Sequence, residues 1–328
     1  MRRDSDFLSG GTRCAAWHYT SGDGDRRPCV VMAHAFGCTR DSGLELYAQQ
    51  FAAAGYDVLL FDFRHLGASD GEPRQLVNPK DQLEDFRAAV AHARRLPGVD
   101  SEKIVLWGMS LAGGHVLTVA VEDPRIAAVI SVVGGVDMVA SSLMSLRRDG
   151  PVSMARLSAL AMRDAAAALR GKPPVYVPIA GAPGSTAFMT APGAAEAIEA
   201  IAGPTFRNEV GARAALMMSA VRPGRLAKDL TCPVLFQIAD LDQTGPPQAI
   251  AKAAFAAAGR ARVRHYPCDH LDALGSHRAV VAAHQVEFLD SVIGGSRQAT
   301  EPSTKDGTPT DIEAAGTATS PTSTRKRR

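Results

Sequence analysis

Three residues able to move an acyl group stand just beyond apolar runs: Ser110, Asp242 and His270. Ser110 follows Lys103-Ile104-Val105-Leu106-Trp107-Gly108-Met109 and precedes Leu111-Ala112-Gly113-Gly114-His115. A serine hydroxyl is a weak nucleophile at neutral pH. A chain that uses one must hold it exposed beside a base, with N–H donors ready for the oxyanion that develops. A buried strand passing through a sharp turn into a helix meets all three needs, and the Leu111 amide at the helix start points at the site. Ser110 is therefore the candidate nucleophile.

The pattern Gly-x-Ser-x-Gly is matched letter for letter elsewhere, at Gly67-Ala68-Ser69-Asp70-Gly71. Glu72-Pro73 follows at once, which suits a turn and interrupts any helix starting at Ser69. At Ser110 the last motif position is Ala112, with the glycines displaced to Gly113 and Gly114. Strand-turn-helix context outweighs the letter match, and the plain alternative for Ser110 is a helix cap.

A base and a group to orient it come later in the chain. The run Cys232-Pro233-Val234-Leu235-Phe236-Gln237-Ile238-Ala239 ends in Asp240-Leu241-Asp242, and an acid there can orient a histidine. Asp242 leads the loop Gln243-Thr244-Gly245 and is preferred; Asp240 and Asp137 are the alternatives. Of nine histidines, His270 stands in a loop after the last strand, downstream of both serine and acid. His265 lies inside a strand, His277 and His284 belong to the last helix, and loop residue His65 is read as held by its neighbours. The second oxyanion donor is expected from the loop His34-Ala35-Phe36-Gly37, at the Phe36 amide, opposite Leu111.

These groups require a layered frame. Short apolar runs at 14–19, 29–33, 56–62, 103–106, 126–133, 232–239 and 262–266 read as strands. Helices are expected at 43–54, 80–96, after Ser110, 247–258 and 277–293. That alternation predicts an α/β fold, a mostly parallel sheet with helices on both faces. Between 137 and 229 the rhythm breaks into Pro/Gly clusters and helical stretches at 152–169 and 208–220. The expected organisation is thus a core at 7–136 and 230–293, an inserted, mainly helical cap at 137–229, and a disordered tail at 294–328. Seven of the ten methionines lie in the insertion, where they either line a pliable apolar pocket or fill the cap's own core. Arg147-Arg148 reads as a solvated charged face, with an acidic substrate group as the alternative partner.

Bulk properties exclude several other functions. Thirty-six basic residues against 34 acidic ones give +2, all of it from residues 294–328, so a neutral body offers nothing to nucleic acid. Five scattered cysteines without a C-x-x-C pair indicate neither a disulfide framework nor a metal site, and fit the cytoplasm. No run is long and apolar enough for a membrane span.

With the elbow, the His34 loop, the acid loop and His270 in this order, residues 7–293 resemble the α/β-hydrolase superfamily. Phe61-Asp62-Phe63-Arg64 leading to Gly67-Ala68-Ser69-Asp70-Gly71, and Ser9-Gly10-Gly11-Thr12-Arg13, are similar to its dienelactone-hydrolase-like and serine-aminopeptidase-like branches. The resemblance implies Ser110 as nucleophile, His270 as base and then acid, Asp242 as orienter, and the Phe36 and Leu111 amides as oxyanion hole. It implies a serine hydrolase of carboxylic esters or thioesters, needing no cofactor, and the Met-rich insertion adds the expectation of a small-molecule substrate with an apolar acyl part. Amide, lactone or carbon–carbon bond cleavage and acyl transfer use the same groups, and a non-catalytic binding protein on this fold is the competing class.

Overall fold

Consecutive residues of the central strands are buried on opposite faces, which sets the layering. The computed structural model describes residues 1–20, 22 and 26–294. In chain order the first part holds β1 (Arg2–Asp4), β2 (Phe7–Ser9), β3 (Thr12–Cys14), β4 (Ala16–Tyr19), β5 (Arg27–Ala33), α1 (Glu45–Ala53), β6 (Asp57–Phe61), α2 (Pro79–Ala93), β7 (Val99–Met109), α3 (Leu111–Glu122) and β8 (Ile126–Val132). Then come α4 (Met138–Leu169), β9 (Tyr176–Val177), α5 (Ala194–Ile201), β10 (Val210–Gly211) and α6 (Ala214–Met218). The chain continues through β11 (Val234–Ala239), α7 (Pro247–Ala256), β12 (Ala261–Tyr266) and α8 (Arg278–Leu289).

Eight strands form one sheet in the order β1-β4-β6-β5-β7-β8-β11-β12. Pairing is parallel from β6 to β12, and β1 and β4 add an antiparallel edge. Val31, Leu59, Leu106 and Phe236 pack with Phe86 of α2, Val116 of α3 and Ile250 of α7. Their chain neighbours Val30, Leu60, Val105 and Leu235 pack on the other face, with Tyr47 of α1 and Phe288 of α8. Helices on both faces explain why these strands are apolar throughout rather than alternating. Ser110, the His34 loop, Asp242 and His270 follow the carboxyl ends of β7, β5, β11 and β12, the edge where parallel sheets carry their sites.

Residues 133–233 leave and return between strands that are neighbours, since Val129 of β8 pairs with Val234 of β11. This insertion is mainly helical, with one small β9–β10 ladder. Its first helix already starts at Met138, earlier than the expected 152, and breaks at Gly150 (φ 78°, ψ 170°) ahead of Pro151. Glycine tolerates that conformation and proline withdraws a donor, so the kink is written into the sequence.

The expected helix at 208–220 is corrected: only Ala214–Met218 is helical. Tertiary partners take the preceding backbone: Val210 pairs with Val177, the Gly211 N–H donates to the Gln75 carbonyl, and Asp164 accepts from the Arg213 N–H. The single strand expected at 14–19 is two, because Ala15 turns to bond elsewhere: its N–H donates to Ser69 Oγ and its carbonyl accepts from the Asp62 N–H. Among the described residues no helix is long and apolar enough to cross a membrane. The tail expected at 294–328 lies, beyond Gly294, outside the described residues.

Candidate active site

Ser110 holds φ 52° and ψ −119°, a backbone state that L-residues rarely adopt and that a tight junction must enforce. Two sides enforce it. The Ser110 N–H donates to the Val132 carbonyl (2.9 Å), and the Ser110 carbonyl accepts from Gly135 N–H (2.6 Å). A Cβ on Gly108 would run into the Ala112 backbone, and Cβ atoms on Gly113 and Gly114 would meet Gly134 and Gly135. Ala112 meets Gly108 through its backbone, so the displaced glycines stand where the crowding is.

His270 bridges the other two groups. Its Nε2 lies 2.9 Å from Ser110 Oγ and its Nδ1 2.6 Å from Asp242 Oδ2. A carboxylate only accepts, so the proton sits on Nδ1 and Nε2 is free to accept from the serine hydroxyl. The other Asp242 oxygen accepts from the Thr244 and Gly245 N–H groups, both at 2.7 Å. Burial pulls the His270 pKa down, but the Asp242 charge and hydrogen bond, helped by Asp269, outweigh it and leave the pKa above the ordinary 6.5. Asp240 instead pairs with His265 on the surface (2.7 Å), and Asp137 caps α4 and pairs with Arg222 (2.7 Å).

Phe36 and Leu111 line the same cavity as Ser110 and His270. The Leu111 N–H opens α3, where first-turn amides lack helical acceptors. The Phe36 loop is pinned by His34, whose Nε2–H donates to the Ser42 carbonyl while Nδ1 accepts from the Ala35 N–H, each at 2.6 Å. Burial holds His34 neutral, its pKa down to about 4. One residue whose role sequence reasoning missed supports this loop. Asp62, fully buried at the end of β6, accepts from the Arg40 and Ala68 N–H groups (2.6 and 3.0 Å), and burial raises its pKa to about 6. An acid ending a buried strand was the available signal, the same one that singled out Asp242.

The cavity measures about 370 Å³. Met138, Met154, Met189 and Met218 line it with Leu157 and Phe188, while Met162 and Met217 are exposed and Met144 borders an outer hollow. Phe188 also packs on the Phe36 ring at 4.5 Å between centroids. The lining includes no Lys or Arg, and its one acid, Asp149, is tied to Arg148 (2.8 Å) and Thr190 (2.6 Å). Arg147 is exposed as expected, but Arg148 is half-buried in this ion pair rather than solvated.

One cluster among the described residues has metal-ligand types within reach, Cys268, Asp272 and His277, with ligand atoms within 4.8 Å of one another. Burial pushes the Cys268 thiol up to about 11, and Asp272 is engaged by the Asp269 N–H, so the donors are poorly prepared for a cation. All five cysteines are buried and unpaired.

Known proteins share this sequence pattern and fold. A family model described as serine aminopeptidase, S33, matches residues 24–270. The quorum-quenching protein AidA of Acinetobacter baumannii is 36% identical over 293 residues, 88% of this chain and 95% of that protein. The thiohydrolase aneE of Aspergillus aculeatus is 43% identical over 105 residues, about a third of each (32% and 33%). The solved α/β hydrolase GrgF from Penicillium superposes with a TM-score of 0.76 at 25% identity, over 89% of this chain and 99% of that one.

Proposed function

The chain belongs to the serine aminopeptidase family of α/β hydrolases, and from that premise we propose that it is a serine hydrolase of carboxylic esters or thioesters, working through an acyl-enzyme on Ser110. The observation that carries this is His270 set between Ser110 and Asp242 on the wall of an apolar cavity.

Ser110 Oγ attacks the substrate carbonyl while His270 Nε2 takes its proton, and Asp242 stabilises the imidazolium that forms. The Phe36 and Leu111 N–H groups receive the oxyanion. Collapse breaks the bond to the alcohol or thiol, which leaves with the proton from His270. Water then attacks the acyl-serine with His270 again as base, releasing the acid and restoring Ser110.

The lining selects among substrates. An aminopeptidase needs an anion for the free α-amine, and Asp149, the acid in the cavity, is already committed to Arg148 and Thr190. A wall of methionine, leucine and phenylalanine suits an apolar acyl part, and the volume suits a small one. The hydroxyls of Ser142, Ser145 and Ser158 join that wall and offer partners to oxygen atoms along such a chain. The relative named a thiohydrolase supports the thioester half of the reading. In this reading residues 137–229 are the cap that shapes the acyl pocket, and the unpaired thiols suit a reducing cytoplasm.

Labelling with a fluorophosphonate, wild type beside Ser110→Ala and with the adduct mapped by mass spectrometry, tests it. A Ser110 adduct absent from the mutant is expected, followed by preference for short apolar acyl chains in an ester and thioester series. An adduct on Ser69, or none on the folded wild type, would overturn the assignment.

A further inference from the structure

Arg148 touches none of the reacting groups, yet its hydrogen bonds lead to the acid that orients the base. It ends the first half of α4, just before the Gly150 kink, with 18% of its side chain exposed. One guanidinium nitrogen donates to the Gln243 carbonyl. The others hold Asp149 (3.1 and 2.8 Å) and Thr190 Oγ1 (2.9 Å), two residues that line the cavity.

The peptide joining Gln243 to Thr244 gives the contact its meaning. Its carbonyl accepts from Arg148, and its N–H donates to Asp242 Oδ1 at 2.7 Å. The Gln243 N–H reaches Asp269 Oδ1 at 3.2 Å, the oxygen that also accepts from the His270 N–H at 2.6 Å. A cation on the carbonyl of an amide polarises it and makes its N–H a stronger donor. The same contact keeps the 242–245 loop turned so that the second Asp242 oxygen faces His270 Nδ1.

We propose that Arg148 is a positioning residue: through the Gln243–Thr244 peptide it sets the hydrogen bonding of Asp242, and through Asp149 and Thr190 it connects the acyl cavity to the base. The inference rests on the reading of Ser110, His270 and Asp242 given above. It assigns to the insertion a part in the chemical step as well as in substrate choice.

The test is the labelling rate of Ser110 by a small alkyl fluorophosphonate, together with kcat and KM for an acetyl ester. Arg148→Met should slow labelling and lower kcat by about tenfold, the scale of one charge-assisted hydrogen bond, with KM nearly unchanged. Arg148→Lys, which keeps a charged donor but not the fork, should recover part of the loss. In an Asp242→Asn background Arg148→Met should add nothing, because its route to the base is already cut. An equal loss in both backgrounds would mean that Arg148 only shapes the cavity, and a wild-type rate in Arg148→Met would also overturn the proposal. If Arg148→Met does not fold, the Lys variant carries the same comparison with a smaller loss. A wild-type protein that fails to label overturns the hydrolase reading itself, which separates that failure from this one.

Discussion

Ser69 and Ser110 each occupy the middle of a Gly-x-Ser-x-small pentapeptide, in the segments that follow β6 and β7, the strands either side of β5. Ser69 has ordinary backbone geometry and is 3% exposed. Its hydroxyl donates to the Asp62 carbonyl (2.7 Å) and accepts from the Ala15 N–H (2.8 Å), stitching the exit of β6 to the start of β4. Ser110 has the strained turn, a helix behind it, and a histidine facing its hydroxyl. Spelling is shared and availability is not: a hydroxyl already spent on two backbone groups has nothing left for a substrate.

The sharpest way to break that contrast is to remove each hydroxyl. Ser110→Ala should lower kcat/KM by about 10⁴-fold with little change in melting temperature. Ser69→Ala should keep activity and lose roughly 1–3 kcal/mol of stability, since two buried backbone groups lose their partner. Ester turnover beside denaturant unfolding decides it, and the reverse pattern would exchange the two roles. The neighbouring acids extend the contrast: Asp242→Asn should cost about 10³- to 10⁴-fold in kcat, whereas Asp240→Asn should change little. The opposite ranking would move the orienting role to Asp240.

Backbone crowding gives the next contrast in size. Gly108→Ala should cost about 3 kcal/mol or more, because its Cβ meets the Ala112 backbone. Ala112→Gly restores the literal motif and should instead lose only about 0.5–1 kcal/mol of helix stability with kcat unchanged. Between these lies the pH profile. In the proposed mechanism the free base of His270 is the active form, and its pKa is raised above 6.5, so kcat/KM should fall about tenfold per pH unit below a limb that lies above that value. Asp242→Asn removes the charge that raises it and should shift the limb downward; a limb starting below 6.5 in the wild type would mean that burial dominates.

Much of the frame was legible because buried parallel strands leave plain apolar runs, punctuated by Gly and Pro: the runs at 29–33 and 126–133 fall on β5 and β8. The carboxyl ends of those runs could be read as the places where Ser110, Asp242 and His270 stand. Strand β1, Arg2-Arg3-Asp4, was not legible, since an exposed edge strand has no apolar face to show. The helix expected at 208–220 failed for another reason, as partners distant in sequence took its backbone. Arg148 was misread because two of its acceptors, the Gln243 carbonyl and Thr190 Oγ1, lie far away in sequence, and a main-chain carbonyl leaves no trace in residue type.

The adjacency of β8 and β11 across residues 133–233 also orders events in time. Strands β5 to β8 with α2 and α3 pair with one another before the insertion begins, while β11 must wait for the longer loop of residues 133–233 to close. Ser110, Phe36 and Leu111 precede that gap, and Asp242 and His270 follow it. Refolding should therefore restore helical ellipticity before esterase activity. On the proposed mechanism the nucleophile is in place before anything can deprotonate it, and a chain emerging from synthesis stays chemically silent until its last strands dock.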